Sequence, residues 1–134
     1  MVMASLGEET RASCRGPANH NAVALILPHK ALLGFDGGAI GADIHVDRSG
    51  ILARTIGDCA KILDALKDPV DGYYDARDPF TTVPRSSALP SYAIHAKASG
   101  AAGALKGMRL GILRESMTVR PGYKTDEPVT GAAV

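Results

Sequence analysis

The apolar residues of this chain fall into short runs separated by polar, glycine-rich or proline-rich segments. Residues 22–27, Ala-Val-Ala-Leu-Ile-Leu, form a continuous apolar run that ends at Pro28. A strand with one face in water alternates between apolar and polar residues, whereas a strand covered on both faces is apolar throughout. The run therefore predicts a strand that is buried on both faces, inside a sheet.

The clearest helical pattern spans residues 54–67, where apolar residues recur at helical spacing. Thr55 is suited to cap the N-terminus, and Asp58 stands in the position of a capping-box acid. Asp68-Pro69 follows and stops the helix. One face is expected to pack against the protein. The opposite, polar face carries Lys61, Asp64 and Lys67.

The other segments give weaker signals, and their structure is predicted from composition and turn residues. They predict a glycine-flanked polar turn at 7–16, a loop at 34–43, a proline-rich arm at 68–91, a weak Ala-rich helix at 93–104, a short apolar strand at 105–113 and an irregular tail at 118–134. No internal repeat is present in the sequence.

Composition narrows the function. The 134 residues are 46% hydrophobic but only 4% aromatic, with a formal net charge of +1 and both signs interleaved, so a nucleic-acid-binding surface is not indicated. The longest apolar run is too short to span a bilayer, and the first residues do not resemble a signal peptide. Two cysteines and four histidines show no metal-ligand spacing. We expect a cytoplasmic protein without metal, cofactor, membrane or nucleic-acid partner.

The most informative segment for chemistry is the turn at residues 10–18. A serine in a tight turn, such as Ser13, can be presented outward while consecutive backbone N–H groups point at one spot. That arrangement can stabilise an oxyanion. Serine is also a common turn former, so the turn alone leaves a purely structural role open.

The same segment resembles the amidase-signature hydrolases, whose motif reads Gly-x-(Asp/Glu)-Thr-Gly-Gly-Ser-x-Arg-x-Pro-Ala. Residues 7–18 read Gly-Glu-Glu-Thr-Arg-Ala-Ser-Cys-Arg-Gly-Pro-Ala, with Arg11-Ala12 in place of Gly-Gly. Residues 27–30, 47–55 and 105–112 also follow the family's order, so the resemblance covers roughly residues 4–117. It implies an α/β fold: part of a large mixed twisted sheet flanked by helices, with 1–117 as a domain fragment and 118–134 as a tail.

The resemblance implies a site as well. Ser13 corresponds to the family's nucleophile, which attacks a small-molecule carboxamide and forms an acyl-serine intermediate. The backbone N–H groups of Thr10, Arg11, Ala12 and Ser13 correspond to the oxyanion hole. Arg15 matches the motif arginine, for which we expect a structural role in holding the loop.

The family's general base is a lysine reached through a second serine, both upstream of the nucleophile. In this sequence Ser5 is too close to Ser13 to be the bridging serine, and no lysine precedes Lys30. We therefore expect the isolated chain to be inactive, with a complementary amidase chain or self-association as its partner. The alternative is a non-catalytic, truncated scaffold or interaction module.

Other residues are weaker candidates for a functional role. His29 beside Lys30 is suited to general-base chemistry but is also a polar exit from a strand, and Cys14 is a possible thiol nucleophile that we expect to be buried. The Gly37-Gly38 loop lacks a phosphate-binding fingerprint. Three aromatic residues of the proline-rich arm could shape a pocket or pack on their own domain: Tyr73, Tyr74 and Phe80.

Overall fold

The computed structural model describes residues 2–30, 32–33, 46–67, 74, 76, 79–82, 88–96, 103 and 105–114. The chain divides into two compact units, Met1–Ala101 and Ala102–Val134. The described helices and strands lie in the first unit. In chain order they are β1 (Ala4–Glu9), α1 (Arg15–His20), β2 (Ala24–Ile26), β3 (Arg48–Ala53), α2 (Ile56–Leu66) and a short 3₁₀ helix (Pro79–Thr81).

The three strands form one antiparallel sheet in the order β1-β3-β2. β3 is central and pairs with β1 so that Gly50 lies opposite Gly7 and Ala53 opposite Ala4. Its Gly50, Ile51 and Ala53 are buried. Glycine and alanine leave room for elements that pack on the sheet, which suits β3 to the central position.

Residues 22–27 contain the predicted strand, but the strand is not buried on both faces as predicted. A strand does form there, but it is limited to Ala24–Ile26 and its residues are only half-buried. Among the described strands it lies at an edge, because it pairs with β3 alone. A continuous apolar run cannot distinguish an interior strand from an edge strand that a helix partly covers, and α2 packs against β2 here.

The polar turn predicted at 7–16 proved shorter than expected. Residues 7–9 continue β1 and residues 15–16 begin α1, which leaves the turn at 10–14. Glycine and glutamate have low intrinsic propensities for strands. The six-residue ladder with β3 satisfies their backbone groups and outweighs that local preference.

Helix α2 follows the prediction closely. Thr55 is its N-cap: the Thr55 hydroxyl accepts a hydrogen bond from the Asp58 backbone N–H at 3.1 Å and donates one to the Asp58 carboxylate at 2.8 Å. Cys59 and Leu63 face the sheet and form the core with Ile51 and Ala53 of β3. The amphipathic pattern of residues 54–67 thus places α2 on one face of the sheet.

The predicted polar face of α2 is not a solvent face throughout. Lys61 is exposed, with 73% of its side chain accessible, but only 5% of the Lys67 side chain and 20% of the Asp64 side chain are accessible. Both contact residues 89–93, which cross the end of the helix. Charged residues on the polar face of a helix are expected to contact water. Here the crossing segment covers the side chains of Lys67 and Asp64.

Two further predictions differ from the structure. Residues 93–96, the described start of the expected Ala-rich helix, form consecutive turns rather than a helix, with His95 N–H bonded to Tyr92 C=O at 3.1 Å. Residues 105–113, expected to be a strand, form a turn followed by irregular chain that is exposed throughout. A strand requires a neighbouring strand to pair with, and none of the described strands pairs with residues 105–113.

The described elements form an α/β arrangement of a small antiparallel sheet with helices, which confirms the predicted fold class. No described helix has the length and apolar character needed to cross a membrane. The predicted loop at 34–43 and the tail at 118–134 lie outside the described residues, as does most of the arm at 68–91. The proposed boundary at residue 117 therefore stays a prediction.

Candidate active site

Ser13 lies in the turn that connects the end of β1 to the start of α1. Its side chain is exposed, as are those of Thr10, Arg11 and Ala12. The Ser13 hydroxyl makes no hydrogen bond to the part of the chain that the structure describes. A substrate approaching this turn would therefore meet the hydroxyl directly.

The backbone of the turn leaves several donors available. Within the described residues, the N–H groups of Arg11, Ala12 and Ser13 donate no hydrogen bond, whereas the Ala12 carbonyl accepts one from Gly16 N–H at 2.7 Å. Outside glycine, Ala22 is the sole described residue with a positive φ, at 51°. Arg11 and Ala12 therefore replace the motif's two glycines without adopting a left-handed conformation.

The buried carboxylate of Glu9 stabilises the turn through hydrogen bonds. Glu9 is 1% exposed and accepts hydrogen bonds from Cys14 N–H at 2.5 Å, from Arg15 N–H at 3.1 Å and from Arg15 Nε at 2.5 Å. These bonds fix the residues on the C-terminal side of Ser13. Glu9 occupies the Asp/Glu position of the motif, but its sequence context does not indicate this role, because a glutamate at the end of a polar stretch is usually solvated.

The electrostatics of Glu9 agree with this geometry. Burial by itself raises the pKa of the carboxyl, but hydrogen bonds from Cys14 N–H and from Arg15, together with the Arg15 charge, outweigh burial and lower the Glu9 pKa below its ordinary 4.5. The carboxylate is consequently ionised at neutral pH. A charged acceptor makes stronger bonds to the turn than a neutral one.

Arg15, predicted to hold the loop, donates its Nε to Glu9, while 61% of its side chain is accessible. The contact between Arg15 and Glu9 is consistent with a role in holding the loop, and that role stays a prediction. The guanidinium lies at the N-terminus of α1, two residues after Ser13.

Cys14 is buried, at 2% exposure, and its thiol donates to the Glu8 carbonyl at 3.3 Å. Its Sγ occupies a notch between Gly7 and Gly50: a Cβ built on Gly7 would lie 2.9 Å from Sγ, and one on Gly50 only 2.6 Å from it. Burial, and then the charges of nearby carboxylates, raise the pKa of the Cys14 thiol. A buried thiol with a raised pKa is a poor nucleophile, so Cys14 anchors the turn instead.

The remaining candidates do not join this site. His29 is exposed and Lys30 is buried, and neither hydrogen-bonds to Ser13. Tyr74 is 65% exposed, Phe80 lies in the 3₁₀ helix, and Gly37, Gly38 and Tyr73 lie outside the described residues. The described residues contain no group of His, Cys, Asp and Glu side chains arranged to hold a metal ion.

A groove of about 860 Å³ opens beside the N-terminal end of β1. It is lined by apolar side chains such as Leu52 and Ile62, with the charged residues Arg54, Asp58 and Lys61 at its edge. Residues 2–5 line it at the start of β1, and Pro17 and Asn21 line it from α1 and its C-cap, which follow the Ser13 turn. Ser13 and residues 10–12 are not among the residues that line the groove.

Comparison with known proteins agrees with the motif. The amidase family profile matches residues 1–133. A glutamyl-tRNA(Gln) amidotransferase subunit of Desulfosudis oleivorans is 34% identical over 117 residues, which are 86% of this chain and 21% of that protein.

A crystal structure of a peptide amidase in complex with the competitive inhibitor chymostatin superposes on 69% of this chain and 18% of its own chain, with 29% identity and a TM-score of 0.55. The chain thus spans about a fifth of the length of the relatives that it matches. With the sequence motif of residues 7–18 at the end of β1 and a family match along almost the whole sequence, this chain belongs to the amidase family.

Proposed function

We propose that this chain carries the nucleophile segment of an amidase that hydrolyses a small-molecule carboxamide. The Ser13 oxygen attacks the carbonyl carbon, the C–N bond breaks, ammonia or an amine leaves with the transferred proton, and water then hydrolyses the acyl-Ser13 ester. The observation that supports this most directly is the exposed Ser13 hydroxyl in a turn whose neighbouring N–H groups are unbonded within the described residues.

The N–H groups at Arg11, Ala12 and Ser13 are the donors that would stabilise the tetrahedral oxyanion. The stabilisation that these N–H groups give to the oxyanion depends on how rigidly the turn is held, because donors that must reorganise during the reaction contribute less. Glu9 supplies that rigidity from one side through Cys14 and Arg15. The Cys14 side chain supplies it from the other by filling the notch at Gly7 and Gly50.

The proton acceptor is the part that the described residues do not supply. No described lysine hydrogen-bonds to Ser13, and a serine hydroxyl is a weak nucleophile at neutral pH without a base. We therefore propose that the 134-residue polypeptide does not turn over amides alone. A lysine and a bridging serine would come from another segment of an amidase, as the family resemblance implies.

A chimaera separates the nucleophile from its missing base. The matching segment of the peptide amidase would be replaced by residues 4–117 of this chain, and hydrolysis of a simple peptide amide would be followed by product release. We expect activity that falls by at least about a thousandfold in Ser13→Ala, since removing a nucleophile removes the covalent route. Ser5→Ala, which alters another exposed serine on β1, is the matched control and should leave the rate unchanged.

Two results would contradict the proposal in different ways. If the Ser13→Ala chimaera keeps the rate of its parent, Ser13 is not the nucleophile. If the isolated chain turns over amides and Ser13→Ala abolishes that activity, the nucleophile is correct but the need for an external base is wrong.

A non-catalytic scaffold is the second candidate. It is favoured by one observation: Arg11 and Ala12 place side chains on the exposed turn where the motif has two glycines. A folded but inactive chimaera whose activity returns in Arg11→Gly/Ala12→Gly would support a scaffold that has lost its chemistry at this turn.

A further inference from the structure

A buried negative charge lies close to the candidate oxyanion donors. Glu9 is 1% exposed, and its Oε2 lies 2.5 Å from the backbone nitrogen of Cys14, the residue after Ser13. Neighbouring backbone nitrogens are at most about 3.6 Å apart, so the Ser13 nitrogen lies within about 6 Å of that oxygen. An oxyanion about 3 Å from the Ser13 nitrogen would then lie within about 9 Å of the carboxylate.

This carboxylate by itself would oppose the proposed reaction. Its charge repels the negative charge that develops on the substrate oxygen, and its burial keeps water from screening it directly. At the effective dielectric constant of about 20 that describes protein sites, repulsion over this distance slows the step by at least about tenfold. The turn still requires the carboxylate, because the N–H groups of Cys14 and Arg15 bind to it.

The Arg15 side chain supplies the opposite charge. Its Nε donates to Glu9 Oε1 at 2.5 Å, whereas the two backbone N–H groups bind to Oε2. The backbone donors fix the position of the carboxylate but carry no net charge. Arg48 lies opposite Glu9 in the strand ladder, but among the described contacts it forms no ion pair with Glu9. Arg15 is therefore the described cation that neutralises Glu9.

We propose that Arg15 neutralises Glu9 so that the buried carboxylate can hold the Ser13 turn without opposing the oxyanion. Arg15 acts through Glu9 and does not contact the substrate, so it is a positioning residue and not a catalytic one. The inference rests on the proposed function, because it requires an oxyanion at this turn. It also goes beyond a role in holding the loop, since it assigns the effect to the charge of Arg15 and not to its hydrogen bond.

The charge at this turn can be measured without catalysis. A Ser13→Cys variant of the 134-residue chain places a thiol at the turn, and a nearby negative charge raises the pKa of a thiol. Adding Arg15→Gln should raise the pKa of the introduced thiol by at least about 0.5, because Glu9 then lacks its counter-charge. The pH dependence of alkylation by iodoacetamide measures that pKa.

Mass spectrometry identifies which cysteine has been alkylated. The native Cys14 and Cys59 are 2% and 0% exposed, so both should react slowly. Circular dichroism checks that each variant is folded.

A further Glu9→Gln change separates charge from structure. The glutamine keeps an amide oxygen that can accept from the backbone N–H groups of Cys14 and Arg15. Because both charges are then absent, the pKa of the introduced thiol should return towards its value in Ser13→Cys alone. A purely structural Arg15 predicts no such return, since the added change removes another charge-assisted contact and disturbs the turn further.

Two controls test whether the position and the charge both matter. Arg15→Lys keeps the positive charge and should leave the pKa of the introduced thiol near its starting value. Arg54→Gln removes the same charge from an exposed residue just beyond the far end of β3, whose first residue pairs with Glu9. That end lies roughly 20 Å along the strand, beyond the screening length of about 8 Å, so the pKa should not change.

The chimaera described above gives the catalytic readout. Arg15→Gln should lower kcat at least about tenfold and leave KM unchanged, because the carbonyl of a neutral amide gains its full charge only in the transition state. Adding Glu9→Gln should recover part of the lost kcat, whereas Arg54→Gln should keep the rate of the parent.

The proposal fails if Arg15→Gln leaves the pKa of the introduced thiol unchanged, if Arg15→Lys raises it as much as Arg15→Gln does, or if Glu9→Gln gives no recovery. Comparing Arg15→Gln with Arg15→Lys requires no change at Glu9, so it remains decisive where Glu9→Gln weakens the fold. A chimaera that keeps its rate in Ser13→Ala would refute the proposed function instead. Loss of activity in Ser13→Ala together with an unchanged thiol pKa in Arg15→Gln would refute this inference alone.

Discussion

At the scale of single residues, the Ser13 turn depends on side chains that do no chemistry in the proposed reaction. Glu9 binds two backbone N–H groups and one side chain on the C-terminal side of the turn. Cys14 fills the space between two paired glycines. Both residues are almost fully buried, so changes at either act on the turn through packing and hydrogen bonding.

Glu9→Ala should lower the free energy of unfolding by about 2–3 kcal/mol, because it leaves buried donors without their charged acceptor. Glu9→Gln keeps one acceptor oxygen and should cost less. Urea unfolding followed by circular dichroism measures both. Equal losses in the two variants would mean that the hydrogen bonds to Cys14 and Arg15 contribute little.

Gly50→Ala should destabilise the fold by about 1–3 kcal/mol, since its Cβ has no room in a packed site. The new Cβ would lie 2.6 Å from Cys14 Sγ and 3.1 Å from Leu27 Cδ2. Adding Cys14→Ala should recover part of the loss in a double-mutant cycle. Gly16→Ala is the matched control: nothing lies within 4 Å of its Cβ, and in a helix it should stabilise by up to about 1 kcal/mol. Additive losses would exclude the clash.

At the scale of elements, α2 joins two parts of the first unit. Its apolar face packs on the sheet through Cys59 and Leu63. Its other face hydrogen-bonds to residues 89–93. Lys67 Nζ donates to the carbonyls of Leu89 and Pro90 at 2.9 and 2.7 Å. The Asp64 carboxylate accepts from Ser91 Oγ and from the N–H groups of Tyr92 and Ala93.

Asp64→Ala should release the crossing segment while leaving the helix in place. Hydrogen exchange at the amides of Tyr92 and Ala93 should accelerate at least about tenfold, the effect of losing a charge-assisted hydrogen bond. Lys61→Ala, an exposed change on the same helix, should leave those rates unaltered. Unchanged exchange in Asp64→Ala would show that other contacts hold the segment.

At the scale of the whole molecule, the buried carboxylates set how stability depends on pH. Although burial raises the pKa of Glu9 and Asp64, hydrogen bonds lower both pKa values below their ordinary 4.5 and 3.8. A lowered pKa contributes stability that is complete above the ordinary value and is lost as the pH falls through the folded value. The Glu8 pKa is raised by burial and by Asp47, so its contribution has the opposite sign.

The free energy of unfolding should therefore decline as the pH falls from about 5 to about 3, because the unfolded chain binds more protons at Glu9 and Asp64. Urea titrations at a series of pH values measure the slope. Glu9→Gln and Asp64→Asn should each flatten it, whereas Glu8→Gln should steepen it by removing the opposing contribution. A wild-type slope of zero would contradict the prediction.

The sequence by itself determined the elements whose signals are local. Thr55 and Asp58 cap α2 as predicted, because capping involves neighbours three residues apart. The apolar run at 22–27 identified a strand, and the motif at 7–18, together with further segments in the family's order, predicted the amidase family that the comparison shows. The α/β class followed from the same resemblance.

The tertiary structure alone decided what depends on residues distant in sequence. Among the described strands it placed β2 at an edge and paired β1 with β3. It buried Lys67 under the segment at 89–93 and made Glu9 the anchor of the Ser13 turn. It also left residues 105–113 without strand pairing among the described residues. Periodicity records the average environment of a residue, but hydrogen-bond partners and strand order come from contacts that a linear pattern does not contain.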